Sequence, residues 1–575
     1  MTKTIVISIV TSAMLFGATV NDLTTDQVNK VENSANIDNA TINQGKVDIN
    51  GGTTSVNSYY HGGATGDGSN TNTIKGTVIN GAEGSDGSVK VDQGGLTISG
   101  GAVVSNSQDH SENTITNGTI DSTSTSGGVA VKQGDIDING GEYSNMDIHS
   151  INNITGANIQ ANGEGSTLVT QATLTVSDAN VSDSAEATNV DLTSTNTIEG
   201  GGLISNSTVK QSDTVITGSS SVVSGLNVNQ TNIINTGEAI KNGSTVTQAT
   251  TKINDSTFTE FTETVTNTMT NVAADGSTLK QNDITVTGGS HVSGFTNNTN
   301  GDHGNTMDDV TATNGATLTQ NTTTIDSSTV DDMTSTQENY MKEITANGSY
   351  NVKQGDISLT NAVIDGNLEV DYHNEMERVD MIGAGSVSQG TLTIGDSNAT
   401  GTVAESIDIK SVNKLTDTDL ENTNVAQSST SILAGSSVSG FKLDQTNTID
   451  KTEGEADNNM TGATISQAEM TISGSTVDTM EQTVTNTITD ATLNDAHVYQ
   501  AKVDISESDV DNVTISSTTN SITGSTVDEA TISQNGLKIE NSSVDGLTIE
   551  QTNTIDNATV SGAATKLTQG DVNIY

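Results

Sequence analysis

Residues 546–562 read GLTIEQTNTIDNATVSG, and the middle of that phrase returns as LDQTNTID at 443–450, VNQTNIIN at 228–235 and VTNTITD at 484–490. Alternate residues of a strand share a face, so Leu547, Ile549, Gln551, Asn553 and Ile555 lie on one side and Thr548, Glu550, Thr552 and Thr554 on the other. The apolar side therefore carries two amides. A buried amide without partners is costly. If successive repeats stack in register, each amide meets its own kind above and below at about 4.7–4.8 Å, as in Asn/Gln ladders. Repetition makes the polar interior tolerable.

A second glutamine sets the period. It follows an apolar-x pair, precedes a short β-rich run, and recurs as Gln44, Gln93, Gln133, Gln171, Gln211, Gln248, Gln281, Gln320, Gln354, Gln389, Gln427, Gln467, Gln500, Gln534 and Gln569. The spacings are 49, 40, 38, 40, 37, 33, 39, 34, 35, 38, 40, 33, 34 and 35 residues, about 14 repeats of mostly 33–40 residues. Most of these glutamines are followed by a second run, such as GDIDI at 134–138, ATLTV at 172–176 or NGLKI at 535–539. The TNTI phrase arrives half a repeat later: Gln534 to Gln551 is 17 residues and Gln551 to Gln569 is 18, which reads as a doublet of similar halves. Ile532 and Gln534 are even-numbered while Leu537 and Ile539 are odd, so the chain must bend at Asn535 and Gly536. One coil could take a whole repeat or one half. The sequence predicts an all-β β-solenoid over 44–575, in which the fifteen glutamines, with Gln230, Gln445, Gln551, Asn447 and Asn553, form the assembly ladder.

Composition supports thin, repeated layers. Of 575 residues only 31% are hydrophobic and 2% aromatic, with no Pro, Trp or Cys, and the formal net charge is −51. Such poverty in large apolar residues, with such charge, also fits disorder. The absence of Pro and the sustained alternation argue instead for a protected hydrogen-bond ladder. With 71 acidic against 20 basic residues, nucleic acid is not an expected partner. The lack of Cys excludes disulfides, thiolate metal sites and a cysteine lipid anchor. The opening MTKTIVISIVTSAMLFGATV has the outline of a secretory signal over residues 1–20, followed by a lead-in at 21–43. Nothing after it is apolar enough to span a membrane.

No catalytic constellation emerges, and the expectation is a protein that is not an enzyme. His61, His110, His149, His291, His303, His373 and His497 fall at unrelated places in the repeat. The stretch GGATGDG at 62–68 lacks the lysine and strand–helix context of a phosphate loop. DHGNTMDD at 302–309 offers oxygen ligands, but the calcium nonapeptide of β-rolls does not recur, so calcium is expected only as low-affinity screening of an acidic surface and no cofactor is expected. TNT occurs at 71–73, 195–197, 266–268, 446–448, 485–487 and 552–554 with its threonines outward, similar to the flat face of some β-solenoid ice-binding proteins.

The signal sequence, the Gln/Asn-bearing strand repeats near 35 residues and the lack of Pro resemble secreted functional-amyloid fibre subunits of the curlin and Fap type. The resemblance covers 44–575 as an architecture. It implies the surface of a Gram-negative bacterium, a separate outer-membrane exporter, a nucleator subunit, self-association head to tail, and a role in biofilm matrix. The final LTQGDVNIY resembles an incomplete coil, which fits addition of another copy. A monomeric solenoid adhesin is the main alternative, with the ice binder behind it. A lyase-bearing passenger is a third: the single arginine, Arg378, sits in EVDYHNEMERVD at 369–380, which reads as a charged loop breaking the repeat.

Overall fold

Val, Ile and Thr suit a pleated, half-buried surface, and they alternate with polar residues through most of the chain. In the computed structural model they build an all-β, parallel β-solenoid, with no helix among the described residues. The described residues run from 13 to 575 apart from connections, of which 62–69, 82–88 and 182–189 are the longest; beyond residue 242 only 300–303, 397–400 and 453–457 are left out. The chain divides into two compact units, Met1–Asn282 and Asp283–Tyr575.

Residues 167–211 typify a coil of the first unit. Thr167–Gln171 pairs in parallel with Val129–Gln133 before it and Ser207–Gln211 after it, with Gln133, Gln171 and Gln211 in register. After a corner, Leu174–Ser177 pairs with Ile136–Asn139 and Thr214–Thr217 on a second face. Val190–Glu199 then pairs with Glu142–Thr155 and Val222–Asn235 on a third, longer face. The second unit repeats the plan, for example with Ser386–Gln389, Leu392–Ile394 and Ile407–Glu421. One coil therefore consumes the whole interval from glutamine to glutamine.

The reading of each repeat as two similar halves is corrected by this geometry. The residue after each ladder glutamine has positive φ, as at Asn535 (61°), and that turns the chain onto a new face. No residue of Thr548–Asp556 has positive φ, so the TNTI half runs straight as one strand. The halves share letters, and their backbones differ.

The core is a thin stack of aliphatic columns. Two residues before the glutamine, Val91, Val131, Val169, Val209 and Val246 in the first unit are all fully buried. Each such side chain contributes about 1.5–3 kcal/mol relative to exposure. Where the long strand bends, the alternation skips a beat. In Thr257–Asp275, Glu260 takes φ 53°, so Phe258 and Phe261, three apart, both point inward and meet edge-to-face at 4.8 Å.

The segment 369–380 does not break the repeat. Leu368–Ile382 lies in register with Thr329–Asn347 and Ile407–Glu421. Val370, Tyr372, Asn374 and Met376 are buried, and the charges fall on the outward positions. Arg378 takes the left-handed bend (φ 54°) and pairs outside the strand with Glu343 at 2.9 Å and with Glu377. Its charge density mimics a loop; its parity is that of a strand.

The signal-sequence expectation lies largely outside the described residues, although Ala13–Phe16 forms a strand paired with Val47–Asn50. The insertion at 61–70 lies mostly outside them as well. No helix of the described residues is long and apolar enough to cross a membrane.

Candidate functional site

Two amide ladders run through the core. In the first unit Gln93, Gln133, Gln171, Gln211, Gln248 and Gln281 each donate Nε2 to the Oε1 of the glutamine before, starting from Gln44, at 2.7–2.9 Å. In the second unit the series from Gln320 through Gln354, Gln389, Gln427, Gln467, Gln500 and Gln534 to Gln569 does the same, at 2.7–2.9 Å. All but the last are fully buried. The second amide proton also has an acceptor in many rungs: Gln171 reaches Asn152 O at 3.1 Å and Gln534 reaches Asn520 O at 3.1 Å. These contacts cross the core.

The partner ladder is asparagine, and its extent was not legible from the TNT triplets alone. In the first unit it runs Asn29, Asn72, Asn113, Asn152, Asn196, Asn232, Asn267, each donating to the next at 2.8–2.9 Å. In the second it runs Asn305, Asn339, Asn374, Asn413, Asn447, Asn486, Asn520, Asn553 at 2.8–3.1 Å. Glutamines donate backward along the chain and asparagines forward, so the two rows of amide dipoles oppose each other. Each row polarises its own bonds cooperatively, and the opposed directions keep the core without a net dipole along the stack. The signal for this ladder is in the sequence: an asparagine recurs at the same register in each coil even where the flanking residues are not threonine, as Asn152 between Ile151 and Asn153 and Asn374 between His373 and Glu375 show.

Gln230, Gln445 and Gln551 do not form the ladder that the sequence suggested. Gln230 lies between Ser194 and Val265, Gln445 between Ser411 and Val484, and Gln551 opposite Ser517. Their column mixes residue types, so register brings no amide to meet them; Gln445 instead accepts diagonally from Gln482 at 2.9 Å. Asn447 and Asn553 do stand in the asparagine ladder.

The corner after each glutamine ties the ladders together. A Cβ on Gly134 would approach Asn152 Oδ1 to 2.9 Å, and one on Gly94 would approach Asn113 to 2.7 Å. Where serine takes the corner, its hydroxyl enters the network: Ser212 Oγ is 2.6 Å from Asn196 Nδ2 and donates to Asn232 Oδ1 at 2.8 Å, and Ser428 repeats this with Asn413 and Asn447. Gly, Ala, Ser and Asn are the residues found there, small or able to adopt φ near 50–70°.

Two residues beyond the glutamine stands a column of carboxylates and their partners. Asp135, its side chain 11% exposed, accepts from Thr170 Oγ1 at 2.5 Å and Thr173 N at 3.1 Å, both on the next coil. Asp213 does so with Thr247 and Thr250, and Asp356 with Ser388 and Thr391. Burial pushes the Asp135 carboxyl up to about 6 against the pull of those donors and Lys132, and it raises Asp213 and Asp356 too. The motif VKQxD at 131–135, 209–213 and 352–356 thus alternates with VTQxT or VSQxT at 169–173, 246–250 and 387–391. Acid never faces acid in this column. Further along, Glu469 faces Lys502 at 2.9 Å.

Among the described residues no histidine belongs to either ladder. His110 and His149 are register partners, edge-to-face at 5.6 Å, and His149 is held below the usual imidazole range by burial and by His110. His373 lies 3.4 Å from Glu338. His291 and His497 are exposed on strands, while 303 lies outside the described residues. Among the described residues no cluster of three metal-ligating side chains occurs. No known protein family, curated protein or solved structure matches the chain. What the fold and core define is a class: a parallel β-solenoid with opposed Gln and Asn ladders.

Proposed function

We propose that this protein is an extracellular structural protein, the subunit of a self-assembling cross-β fibre of a bacterial surface or biofilm matrix. The observation that carries the reading is the pair of ladders. Every coil presents to its neighbour the same parallel register, the same glutamine and the same asparagine, so each edge is a template for another coil of the same kind. Whether that coil belongs to one chain or to a second copy, the chemistry of addition is identical. Export through a separate outer-membrane pore and initiation by a nucleator subunit belong to the same reading.

The acidic surface opposes assembly by self-repulsion. Low pH, salt and calcium, which neutralise or screen it, are expected to speed growth. The test is negative-stain electron microscopy with fibre diffraction after incubation at pH 4, and at pH 7 with calcium. Unbranched fibres with a meridional reflection at about 4.7–4.8 Å support the reading; monodisperse particles under every condition refute it.

A further inference from the structure

We propose that Asp135, Asp213 and Asp356 are proton-operated clasps that fasten coils of this solenoid in pairs. The inference is independent of fibre formation, since every group in it lies within one chain. Lys-Gln-x-Asp stands at 132–135, 210–213, 280–283 and 353–356, and Thr- or Ser-Gln-x-Thr stands on the intervening coils at 170–173, 247–250, 319–322 and 388–391. The repeat that carries this chemistry is two coils long.

The bonds run one way. Asp213 accepts from Thr247 Oγ1 at 2.8 Å and Thr250 N at 3.3 Å, and Asp356 from Ser388 Oγ at 2.5 Å and Thr391 N at 3.2 Å, as Asp135 does from Thr170 and Thr173. Asp283 makes the same two bonds with Thr319 and Thr322. Thr170 and Thr173 direct both donors to Asp135 behind them, so neither is aimed at Asp213 ahead. Backbone bonds and amide ladders join successive coils throughout each unit. The clasp is added only at alternate seams, such as those from Gln133 to Gln171, from Gln211 to Gln248 and from Gln354 to Gln389.

Each clasp faces one ammonium on its own coil and hydroxyls on the next. Asp135 has Lys132 at 3.8 Å; on the coil before, Asp92 is the register partner of Lys132 and lies 3.9 Å from Lys46 and from Lys90. Asp213 has Lys210 at 3.5 Å, with Thr170 and Thr173 on the coil before. Asp356 has Lys353, with Thr319 and Thr322 on the coil before, and the buried hydroxyl of Tyr372 faces it from the long strand. Desolvation outweighs these ammonium groups: the Asp135 carboxyl is pushed from 3.8 up to about 6, and Asp213 and Asp356 are raised too. A raised carboxyl favours the closed seam when neutral, so the Asp135 clasp holds fully below about pH 4 and weakens as pH rises through 6. The neutral carboxyl keeps the backbone N–H bond and can donate to the hydroxyl or accept from it.

The seams can be read one at a time. The amide after each ladder glutamine donates to the carbonyl of the ladder glutamine before: Ala172, Ala249 and Gly390 across clasped seams, and Ser212, Asn282 and Gly355 across seams without a clasp. The experiment measures hydrogen exchange of these amides in the full chain at pH 4 and pH 7, by mass spectrometry with single-residue fragmentation, corrected for intrinsic rates. The net charge of the chain changes for every seam over that range, so Ser212, Asn282 and Gly355 are the internal control. Ala172, Ala249 and Gly390 are expected to gain roughly ten- to a hundredfold in protection at pH 4 over the control amides, the upper limit following from the distance between 3.8 and about 6. Asp135→Asn keeps an acceptor for Thr173 N without a titrating group; it should abolish the gain at Ala172 and leave that at Ala249. Equal changes in the two sets of amides, or a gain at Ala172 that survives Asp135→Asn, would overturn the proposal. The first comparison uses the parent chain alone and stands even where the variant fails to fold.

Discussion

Replacing Gln171 by leucine tests the energetic logic of the ladder. Gln171 donates to Gln133 Oε1 at 2.8 Å and accepts from Gln211 Nε2 at 2.8 Å. Leucine fills nearly the same volume and leaves one acceptor and one donor stranded in the core. At about 1–3 kcal/mol for each stranded group, the loss is roughly 2–6 kcal/mol. The extra apolar burial returns about 1 kcal/mol. The informative comparison is the triple change at Gln133, Gln171 and Gln211. It also strands two groups, Gln93 Oε1 and Gln248 Nε2, because the interior of the run no longer contains amides. The triple variant is therefore expected to cost about as much as the single one, a strong departure from additivity among neighbours. Solenoids need not unfold in two states, so the readout is amide hydrogen exchange across 167–177 alongside urea melting. A single variant as stable as the parent, or a triple costing three times the single, would refute the reasoning.

Other outcomes follow from the corners and the carboxylate column. Asp135 has a folded pKa of about 6 against an ordinary 3.8; its protonated form suits the fold, so its contribution is full below pH ~4 and is lost as pH rises through 6, a change of up to about 3 kcal/mol. Asp135→Asn should flatten that slope in melting temperature measured from pH 4 to 7, and an unchanged slope would count against it. Thr173→Asp sets a carboxylate between Asp135 and Asp213, and should lower the melting temperature at pH 7 but much less at pH 4. Gly134 has φ 64° with Asn152 beneath it; Gly134→Ala should cost about 1–2 kcal/mol and Gly134→Val distinctly more, by urea melting. Arg378→Ala, which removes only exposed ion pairs, should change stability by less than about 1 kcal/mol, and a larger loss would mean the bend itself depends on the arginine.

The sequence by itself determined the fold class. Inward and outward positions in a strand depend only on parity, and a period marked by Gln44 through Gln569 specifies stacking without knowledge of any loop. It also determined the bend at Asn535, since Gln534 and Leu537 cannot share one straight strand. It misled at 369–380, where outward charges were read as a loop although Val370, Tyr372, Asn374 and Met376 keep strand parity. Tertiary structure alone decided which repeated amides meet. Gln551 and Asn553 recur in similar phrases, but a ladder requires the same residue at the same register in consecutive coils, and only the asparagine column has it. Tertiary structure also decided that a coil takes a whole repeat, because the left-handed residue after each ladder glutamine turns the chain onto a new face, whereas none follows Gln551 and Thr548–Asp556 continues there as one strand. The alternation of Lys-Gln-x-Asp with Thr- or Ser-Gln-x-Thr is written in the chain from 132 to 391. Its meaning depends on which side chains face one another across coils, and that is fixed by register in space.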